Sequence, residues 1–431
     1  MKILFVSNDL IAGNIARVLV NEGHDVKLYV HEKARRQNLD YIVVQTKNWK
    51  KELAWVGKDG LIVFDDIGWG KIQDSLRKKG YTVFGGSNGG DKLEEDREFA
   101  QQIFNQHGIK TKETKNFKNV IEAIEFIQKN PRAWVVKQNG HASKGINYVG
   151  HFDDGRDVIS LLKNYMINPK MKREHITLQE KIVGVEIGVG RYFNGSEWIG
   201  PIEYNIEHKK FFPGDIGPTT SEMGTIAWYD DKEDNKLYKE ILAPMKPYLQ
   251  KINFRGDFEI NCIVNENGAF PLEATPRFGS PIIHLHTEIH KSSWGELLYK
   301  IAKGDEVDFK WKKGFGIVVL LAVPPFPYTK KAIENHFGVS VFFDNITKEE
   351  FSHIHFEEIS EHVDKKESFY ISDERGYILY VTEIRETIEK AREEVYKIIN
   401  KIVIPKMIYR NDIGQRFIDR DMQKLKDWGY M

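Results

Sequence analysis

Acidic and amide side chains alternate with apolar ones on both sides of a predicted hairpin turn, the Asn-Glu-Asn-Gly of 265–268. Before the turn, Glu259 and Asn261 are two residues apart, so a strand would place them on one face. After the turn, Glu273 and Thr275 have the same spacing. Mg²⁺ prefers oxygen ligands and commonly bridges substrate phosphates. We therefore predict that these four side chains are metal ligands beside a nucleotide, with Mg²⁺ or Mn²⁺ as the ion.

Glu273 lies in the apolar context PLEATPRFG, where a carboxylate without a nearby cation would be costly to bury. A solvated charged face would explain the spacing of the hairpin alone. Arg277 follows four residues later, and its planar guanidinium could bind a substrate carboxylate through two parallel hydrogen bonds. That is the catalytic role we predict for Arg277. Neutralisation of Glu273 is an equally good interpretation of the residues by themselves.

The segment from Val135 to Gly150 combines a predicted strand with glycines and lysines. Phosphate binding needs backbone N–H groups that can turn inward and a fixed positive charge. Lys137 and Lys144 could supply the charge, while the glycines between them and beyond supply conformational freedom. An ordinary hairpin with solvated lysines explains the segment as well. The spacing of a Walker A loop is absent.

A further strand and its connector follow in TLQEKIVGVEIGVG, residues 177–190. The connector could offer backbone N–H and C=O groups at Glu180 and Ile182 to the edge of an adenine ring. Glu186, just after it, could hold ribose hydroxyls. We predict these three as cofactor-binding positions, although Glu186 on the solvent face of an edge strand is the alternative.

A long stretch rich in Gly, Pro and Thr runs from Glu207 to Gly224. Loops of this length without secondary structure are usually functional or disordered. His208, Lys209 and Asp215 give it charges suited to handling a substrate. We predict Lys209 and Asp215 as catalytic residues.

The elements that would position these groups fall into three parts. Strands alternating with helices over residues 1–98 predict a parallel sheet with helices on its faces. Short strands separated by turns then fill 99–310, with a mobile lid at about 116–180, and 311–431 is typical of an α+β domain. The expected fold class is therefore α/β and α+β, with an N-terminal substrate domain, a nucleotide-binding domain and a C-terminal domain.

Composition limits the classes of function. Lys plus Arg and Asp plus Glu both total 63, so a global basic footprint for nucleic acid or anionic membrane is missing. Cys262 is the only cysteine, so an intramolecular disulfide cannot form. The first apolar run is far shorter than a signal sequence, and we find no apolar run long enough to span a membrane. We expect a cytoplasmic protein, monomeric or a small homo-oligomer, that acts on small molecules.

The order of these pieces resembles ATP-grasp ligases, and specifically the glycinamide ribonucleotide synthetases. LEEDREFAQQIF resembles that family's Leu-Glu-Gly-Ser-Lys-x-Phe helix, which places Arg97 at its nucleotide-contacting lysine. VVKQNG resembles the family's phosphate strand at Lys137. Glu186 falls on the second Glu of its Asp-Gly-Glu-Glu, the ribose ligand. The resemblance therefore implies ATP as the nucleotide.

The second half of the chain carries the more specific similarities. EHKK and DIGPTTSEMG resemble the family's Asp-His-Lys-Arg and Asp-Thr-Gly-Pro loops, and YRNDIGQRF at Tyr409–Phe417 resembles its closing motif. LEATPRFGSP resembles Ile-Glu-Phe-Asn-Cys-Arg-Phe-Gly-Asp-Pro, which implies that Glu273 is a metal ligand and Arg277 the carboxylate anchor.

The likeness implies a ligase of purine synthesis that joins glycine to phosphoribosylamine through an acyl phosphate. The turns NDLIAGNIA and DDIGWG replace two family turns at the amine-binding end, Ser221-Glu222 replaces Gly-Gly, and Thr275 replaces a metal-binding Asn. Two alternatives therefore stay open: a ligase for a different amino acid or amine, and a catalytically silent ATP-binding protein. A dinucleotide-binding oxidoreductase fits poorly, because the Gly-x-Gly-x-x-Gly fingerprint is absent.

Overall fold

The computed structural model describes residues 1–137, 147–167, 176–328 and 336–431. Its first unit is a parallel sheet in the order β2-β1-β3-β4, and the mixed α/β class expected from the sequence is confirmed. The strand LIVF is buried along its whole length, as expected where helices cover both faces. The elements are β1 (Lys2–Ser7), α1 (Gly13–Asn21), β2 (Asp25–Val30), α2 (Leu53–Val56), β3 (Leu61–Phe64), α3 (Gly70–Lys78), β4 (Thr82–Phe84), α4 (Asn88–Glu95) and α5 (Arg97–Gln106).

A small antiparallel sheet with its own core follows, in the order β5-β8-β6-β7. Trp134, Ile127 and Leu178 are fully buried in a cluster separate from the main core. A unit with its own core can move as a body, which is what the predicted lid requires. Its elements are β5 (Thr114–Phe117), α6 (Val120–Lys129), β6 (Trp134–Lys137), β7 (Tyr148–Val149), α7 (Arg156–Ile167) and β8 (Ile176–Glu180).

The largest sheet has eight strands in the order β15-β14-β9-β10-β13-β16-β21-β18. The elements of this part of the chain are β9 (Val185–Asn194), β10 (Trp198–Glu207), β11 (Lys210–Phe212), β12 (Ile216–Thr219), β13 (Gly224–Asp230), α8 (Lys246–Lys251), β14 (Arg255–Asn265), β15 (Gly268–Thr275), α9 (Ile282–Ile289) and α10 (Trp294–Lys303). The predicted hairpin is present, with Asn265 opposite Gly268 across the turn. Strands β11 and β12 form a separate two-stranded sheet.

The C-terminal part extends this sheet rather than standing apart from it. Strand β16 pairs with β13, so the sheet crosses the predicted boundary at residue 311. The domain boundaries themselves stay a prediction. The remaining elements are β16 (Phe315–Ala322), β17 (Ser340–Phe343), α11 (Lys348–Ser352), β18 (Ile354–Phe356), β19 (Ile359–His362), β20 (Lys365–Ile371), β21 (Tyr377–Arg385), α12 (Ile388–Ile399), β22 (Ile402–Val403) and α13 (Met422–Asp427).

Two local details differ from the sequence prediction. The sequence predicts one helix from about Glu94 to Gln106, ended by Gly108, but the chain breaks at Asp96, whose carboxylate accepts a hydrogen bond from Phe99 N at 3.1 Å and caps α5. The stretch from Glu207 to Gly224 is also not structureless. It contains the β11–β12 hairpin, in which Lys210 lies opposite Thr219.

Candidate active site

The polar side chains of the large sheet converge on one face. Asn261 lies opposite Glu273, and Glu259 lies opposite Thr275, so the register brings the four predicted metal ligands together. Residues two apart along a strand share a face, which adds neighbours from β9 and β10. The acidic and amide side chains on this face, together with Thr275, are Glu186, Glu203, Asn205, Glu207, Asp257, Glu259, Asn261, Glu273 and Thr275.

Lys209 lies at the centre of the acidic part of this face. Its ammonium is 2.7 Å from Glu186 Oε1, 2.7 Å from Glu207 Oε2 and 3.6 Å from Glu273 Oε1. Burial alone would lower the pKa of Lys209, but these three carboxylates raise it well above its ordinary value. A side-chain cation therefore lies among these carboxylate oxygens.

The carboxylate of Glu273 is flanked by positive charges. Arg97 Nη1 lies 2.7 Å from its Oε2. Burial alone would raise the pKa of Glu273, but Arg97, Lys209 and Lys137 hold it well below its usual range. Burial, followed by the repulsion of Arg97, lowers the pKa of Lys137 to about 8. The predicted nucleotide-binding cations Arg97 and Lys137 thus lie beside the predicted metal ligand.

The oxygens present are those that Mg²⁺ prefers. Asn261 Nδ2 donates to Glu186 Oε1 at 3.1 Å and to Glu207 Oε2 at 2.8 Å. Its Oδ1 is buried and accepts no hydrogen bond from any residue that the structure describes, so this face has a buried acceptor without a donor. Opposite it lies Glu273, which is ionised. One carboxylate and one amide oxygen, completed by phosphates and water, suit Mg²⁺.

Among the described parts of the chain, no group of three or more His, Cys, Asp or Glu residues could hold a metal ion by itself. The ammonium of Lys209 lies between Glu186, Glu207 and Glu273, which explains why these three carboxylates do not form such a group. A site that binds Mg²⁺ together with a triphosphate needs only one or two protein carboxylates. The fit is therefore to metal–nucleotide rather than to metal alone.

Glu259 occupies a different part of the face. Burial, and then the neighbouring Glu203 and Glu207, raise the pKa of Glu259 well above its usual range. The protonated form is a weaker metal ligand than ionised Glu273. The glycines of β9 leave room here, because a Cβ at Gly188 would lie 2.4 Å from Asn205 Oδ1 and 2.7 Å from Glu259 Oε1.

Arg277 binds Glu94 rather than Glu273. Its Nε and Nη2 donate to the two Glu94 oxygens at 3.2 and 2.9 Å, and its Nη1 donates to Phe278 O at 2.8 Å. A guanidinium has five N–H donors, so capacity for a further carboxylate remains. Asp66 lies 3.9 Å from Nε. The alternative in which Arg277 neutralises Glu273 is therefore wrong.

The altered turns of the first unit lie at the carboxyl ends of β1 and β3, where parallel sheets commonly bind ligands. Asp65 accepts hydrogen bonds from Ser7 Oγ at 2.8 Å and from Ala12 N at 3.1 Å. Burial, and then the charge of Asp66, raise the pKa of Asp65 to about 7. This edge is acidic, and Arg277 connects it to the large sheet through Asp66.

Asp215 does not join the carboxylates of the polar face. Its two oxygens accept hydrogen bonds from Arg410 Nη1 at 2.8 Å and Arg416 Nη1 at 2.6 Å. Burial lowers the pKa of His208 to about 3, and its neutral Nε2 accepts a hydrogen bond from Gly414 N at 3.1 Å. These contacts indicate that the C-terminal motif holds the 207–224 segment in place. They do not support a catalytic role for Asp215.

The predicted adenine strand has its polar end at the lid. Glu180, at the end of β8, binds Lys112 Nζ at 2.7 Å and Arg132 Nη1 at 3.0 Å, and Ile182 follows in the connector to β9. Lys144 lies outside the described residues. The roles of these positions in binding ATP stay predictions.

Sequence reasoning missed Glu203 and Glu207, which lie on the polar face. The signal was available in WIGPIEYNIE, where Glu203, Asn205 and Glu207 alternate with apolar residues.

Comparison with known proteins agrees with this geometry. Residues 95–282 match the ATP-grasp (A) domain of phosphoribosylglycinamide synthetase. This part of the chain is an ATP-grasp domain. A phosphoribosylamine–glycine ligase of Fusobacterium nucleatum is 27% identical over 382 residues, covering 86% of this chain and 85% of the relative. That of Halalkalibacterium halodurans is 24% identical over 396 residues, covering 89% of this chain and 86% of the relative.

Solved structures show the same fold for nearly the whole chain. The phosphoribosylamine–glycine ligase of Thermotoga maritima superposes with a TM-score of 0.72 at 19% identity, covering 96% of this chain and 100% of the other. The biotin carboxylase of Campylobacter jejuni superposes with a TM-score of 0.65 at 12% identity, covering 99% and 98%. In the described parts of the chain, no helix is both long and apolar enough to cross a membrane.

Proposed function

We propose that this chain is an ATP-grasp ligase that joins glycine to phosphoribosylamine, with ATP and Mg²⁺, in purine synthesis. The observation that carries the proposal is the convergence of Glu186, Glu207 and Glu273 on the Lys209 ammonium. Arg97 and Lys137, two further cations, lie beside the same carboxylates. The similar proteins named as phosphoribosylamine–glycine ligases support the choice of substrates. A cytoplasmic location stays a prediction from the sequence.

The residues suit transfer of a phosphoryl group to a carboxylate. Lys137 and Arg97 would bind the phosphates of ATP, and Glu186 the ribose. Glu273 and Asn261 would hold Mg²⁺, which supplies charge neutralisation on the β- and γ-phosphates when bound. The carboxylate of glycine, oriented by Arg277, attacks the γ-phosphorus and ADP leaves, which gives an acyl phosphate.

The second step forms the amide bond. The amine nitrogen attacks the acyl carbon, inorganic phosphate leaves, and the nitrogen loses a proton. Closure of the β5–β8 unit over the site would exclude water from the acyl phosphate. The neighbouring acidic edge with Asp65 and Asp66 is where the amine would enter.

The test is ADP formation by the purified protein with MgATP, glycine and phosphoribosylamine generated in the assay. We expect ADP only when all three substrates are present, in a one-to-one ratio with the amide product. ADP release that ignores the amine, or no ADP at all, would contradict the proposal. Omission of each substrate in turn is the control.

The acidic edge favours a second candidate, a ligase that takes a different amine. Asp65 and Asp66 are buried at the carboxyl end of β3. Their carboxylates would repel the phosphate of a phosphorylated amine. A cationic amine without a phosphate fits such an edge better. ADP release across a panel of unphosphorylated amines, with glycine fixed, distinguishes the two candidates. The first candidate predicts activity with phosphoribosylamine alone, whereas the second predicts activity with one of the unphosphorylated amines.

A further inference from the structure

A cavity of about 660 Å³ lies between the first unit and the large sheet, away from the polar face. Tyr81 and Thr82 line it, at the amino end of β4. Asp65 and Asp66 follow β3, at the carboxyl end of the same parallel sheet. The cavity and the acidic edge are therefore on opposite edges of that sheet. Its volume falls within the range that small-molecule sites usually have.

The charges around this cavity are strongly unbalanced. Among the described residues, five cationic side chains line it: Arg77, Lys78, Lys251, Arg255 and Lys303. The one carboxylate in this lining is that of Asp74. The chain as a whole has a formal net charge of zero, so this is a local excess of positive charge. Such an excess in a concave site concentrates anions.

Two of the cations are fixed in place. Arg77 donates to Gly86 O at 2.8 Å and Gly85 O at 2.9 Å, while Arg255 Nη1 donates to Ala302 O at 2.6 Å. Burial lowers the pKa of Arg77 to about 10; the charge of Asp74, 3.5 Å from Nη1, opposes this shift and that of Arg255 contributes to it. The structure thus holds two guanidinium groups at the wall of the cavity, one of them paired with Asp74.

The walls come from both units. Arg77 and Lys78 belong to α3 of the first unit, whereas Lys251 ends α8 and Lys303 ends α10. Gly85 N donates to Arg255 O at 2.8 Å, so a backbone hydrogen bond joins the two units beside the cavity. An anion here would contact cations of both units.

We propose that this cavity is a second binding site, for a small phosphorylated molecule up to the size of a nucleotide. The exposed lysines supply charge, and Tyr81 supplies an aromatic side chain to the lining. A nucleic acid is disfavoured, because the positive charge is confined to one cavity rather than extended in a stripe. The site is independent of the ligase reaction, since none of its residues lies on the polar face.

The test is calorimetric titration of the full-length protein with inorganic pyrophosphate and, in parallel, with AMP. Lys251 and Lys303 are exposed, so K251E/K303E should fold normally. We expect pyrophosphate affinity at the cavity to fall at least about tenfold in this variant, because two favourable charges become unfavourable. K348E/K424E, at exposed lysines elsewhere, has the same change in net charge and should stay within about twofold of the unaltered protein.

Acetylation of lysines, read by mass spectrometry, locates the binding. We expect pyrophosphate to protect Lys251 and Lys303 from the reagent and to leave Lys348 unprotected. AMP that protects the same lysines would assign the occupant as a nucleotide, and protection by pyrophosphate alone would assign a smaller phosphate ester. Equal weakening in both double variants, absence of protection, or stronger protection by an oligonucleotide would overturn the site. None of these results bears on the ligase activity, which is tested separately by ADP formation.

Discussion

Arg97 and Glu273 form an ion pair of 2.7 Å that joins the first turn of α5 to the end of β15. Both residues belong to motifs that resemble nucleotide-binding positions of ATP-grasp ligases. Each neutralises the other, and Lys209 adds a second cation at 3.6 Å from Glu273. A bound metal–nucleotide complex would bring Mg²⁺ to Glu273 in place of Arg97 and Lys209, and its phosphates would then pair with these two cations. The net charge of the site would therefore change little.

Replacing Glu273 by Gln should remove Mg²⁺-dependent ADP formation while leaving the fold intact. The amide keeps the size of the side chain but lacks the charge that a metal ligand needs. We expect kcat to fall by at least about 100-fold, as for other groups that stabilise charge in the transition state. The assay is ADP release under saturating substrates, with the Mg²⁺ concentration varied.

The matched control for this change is Glu266→Gln, in the exposed turn of the same hairpin. It should keep the activity of the unaltered protein. If the two variants were equally active, Glu273 would not be the metal ligand.

Replacing Lys209 by Met should destabilise the ligand-free protein. Glu186, Glu207 and Glu273 would lose the cation between them and repel one another. We expect the free energy of unfolding in urea to fall by about 1–3 kcal/mol, and millimolar Mg²⁺ to restore part of it. Lys232→Met, at an exposed position, serves as the control and should change neither value. A K209M protein as stable as the control would contradict the cation cluster.

The pH dependence of ATP use should report Lys137. Its pKa is lowered to about 8, so the free protein loses this positive charge as pH rises through about 8. We expect kcat/KM for ATP to decline over that range. Lys137→Arg should move the decline to a higher pH, because a guanidinium stays protonated. A decline at the same pH in both proteins would assign it to another group.

Replacing Asp215 by Asn separates a structural from a catalytic role. Arg410 and Arg416 would each lose a charged acceptor, so the free energy of unfolding should fall by about 1–3 kcal/mol. The 207–224 segment should also become more sensitive to protease. Asp231→Asn, at an exposed position, is the control. A loss of kcat with unchanged stability would instead restore the catalytic role that the sequence suggested.

The sequence predicted the secondary structure around the site well, because alternation and turn residues are local signals. The Asn-Glu-Asn-Gly turn sets the register from the pair Asn265–Gly268 to the pair Cys262–Pro271, but a shift between Cys262 and Asn261 is what brings Asn261 opposite Glu273, and the alternation pattern does not predict that shift. The break at Asp96 was not predicted. An Asp whose carboxylate can accept a hydrogen bond from the N–H three residues later, here that of Phe99, is nevertheless a local signal for a helix start. Helical spacing on both sides masked it.

Long-range partners could not be predicted in the same way. Arg277 follows Glu273 by four residues, yet it binds Glu94, which is 183 positions away. Asp215 similarly binds arginines about 200 positions later. Ion pairs depend on how the units pack, and the sequence pattern within one element carries no information on that packing. The charges were therefore predictable, whereas their partners were not.

The most direct test of the proposed reaction follows the oxygen atoms of the carboxylate substrate. Glycine labelled with ¹⁸O in its carboxylate is incubated with the protein, MgATP and the amine, and the inorganic phosphate released is examined by mass spectrometry. Attack of the carboxylate on the γ-phosphorus predicts one ¹⁸O atom in each phosphate and none in ADP. Phosphate without the label, formed alongside ADP, would show that water and not the carboxylate accepts the phosphoryl group, which contradicts the acyl-phosphate route.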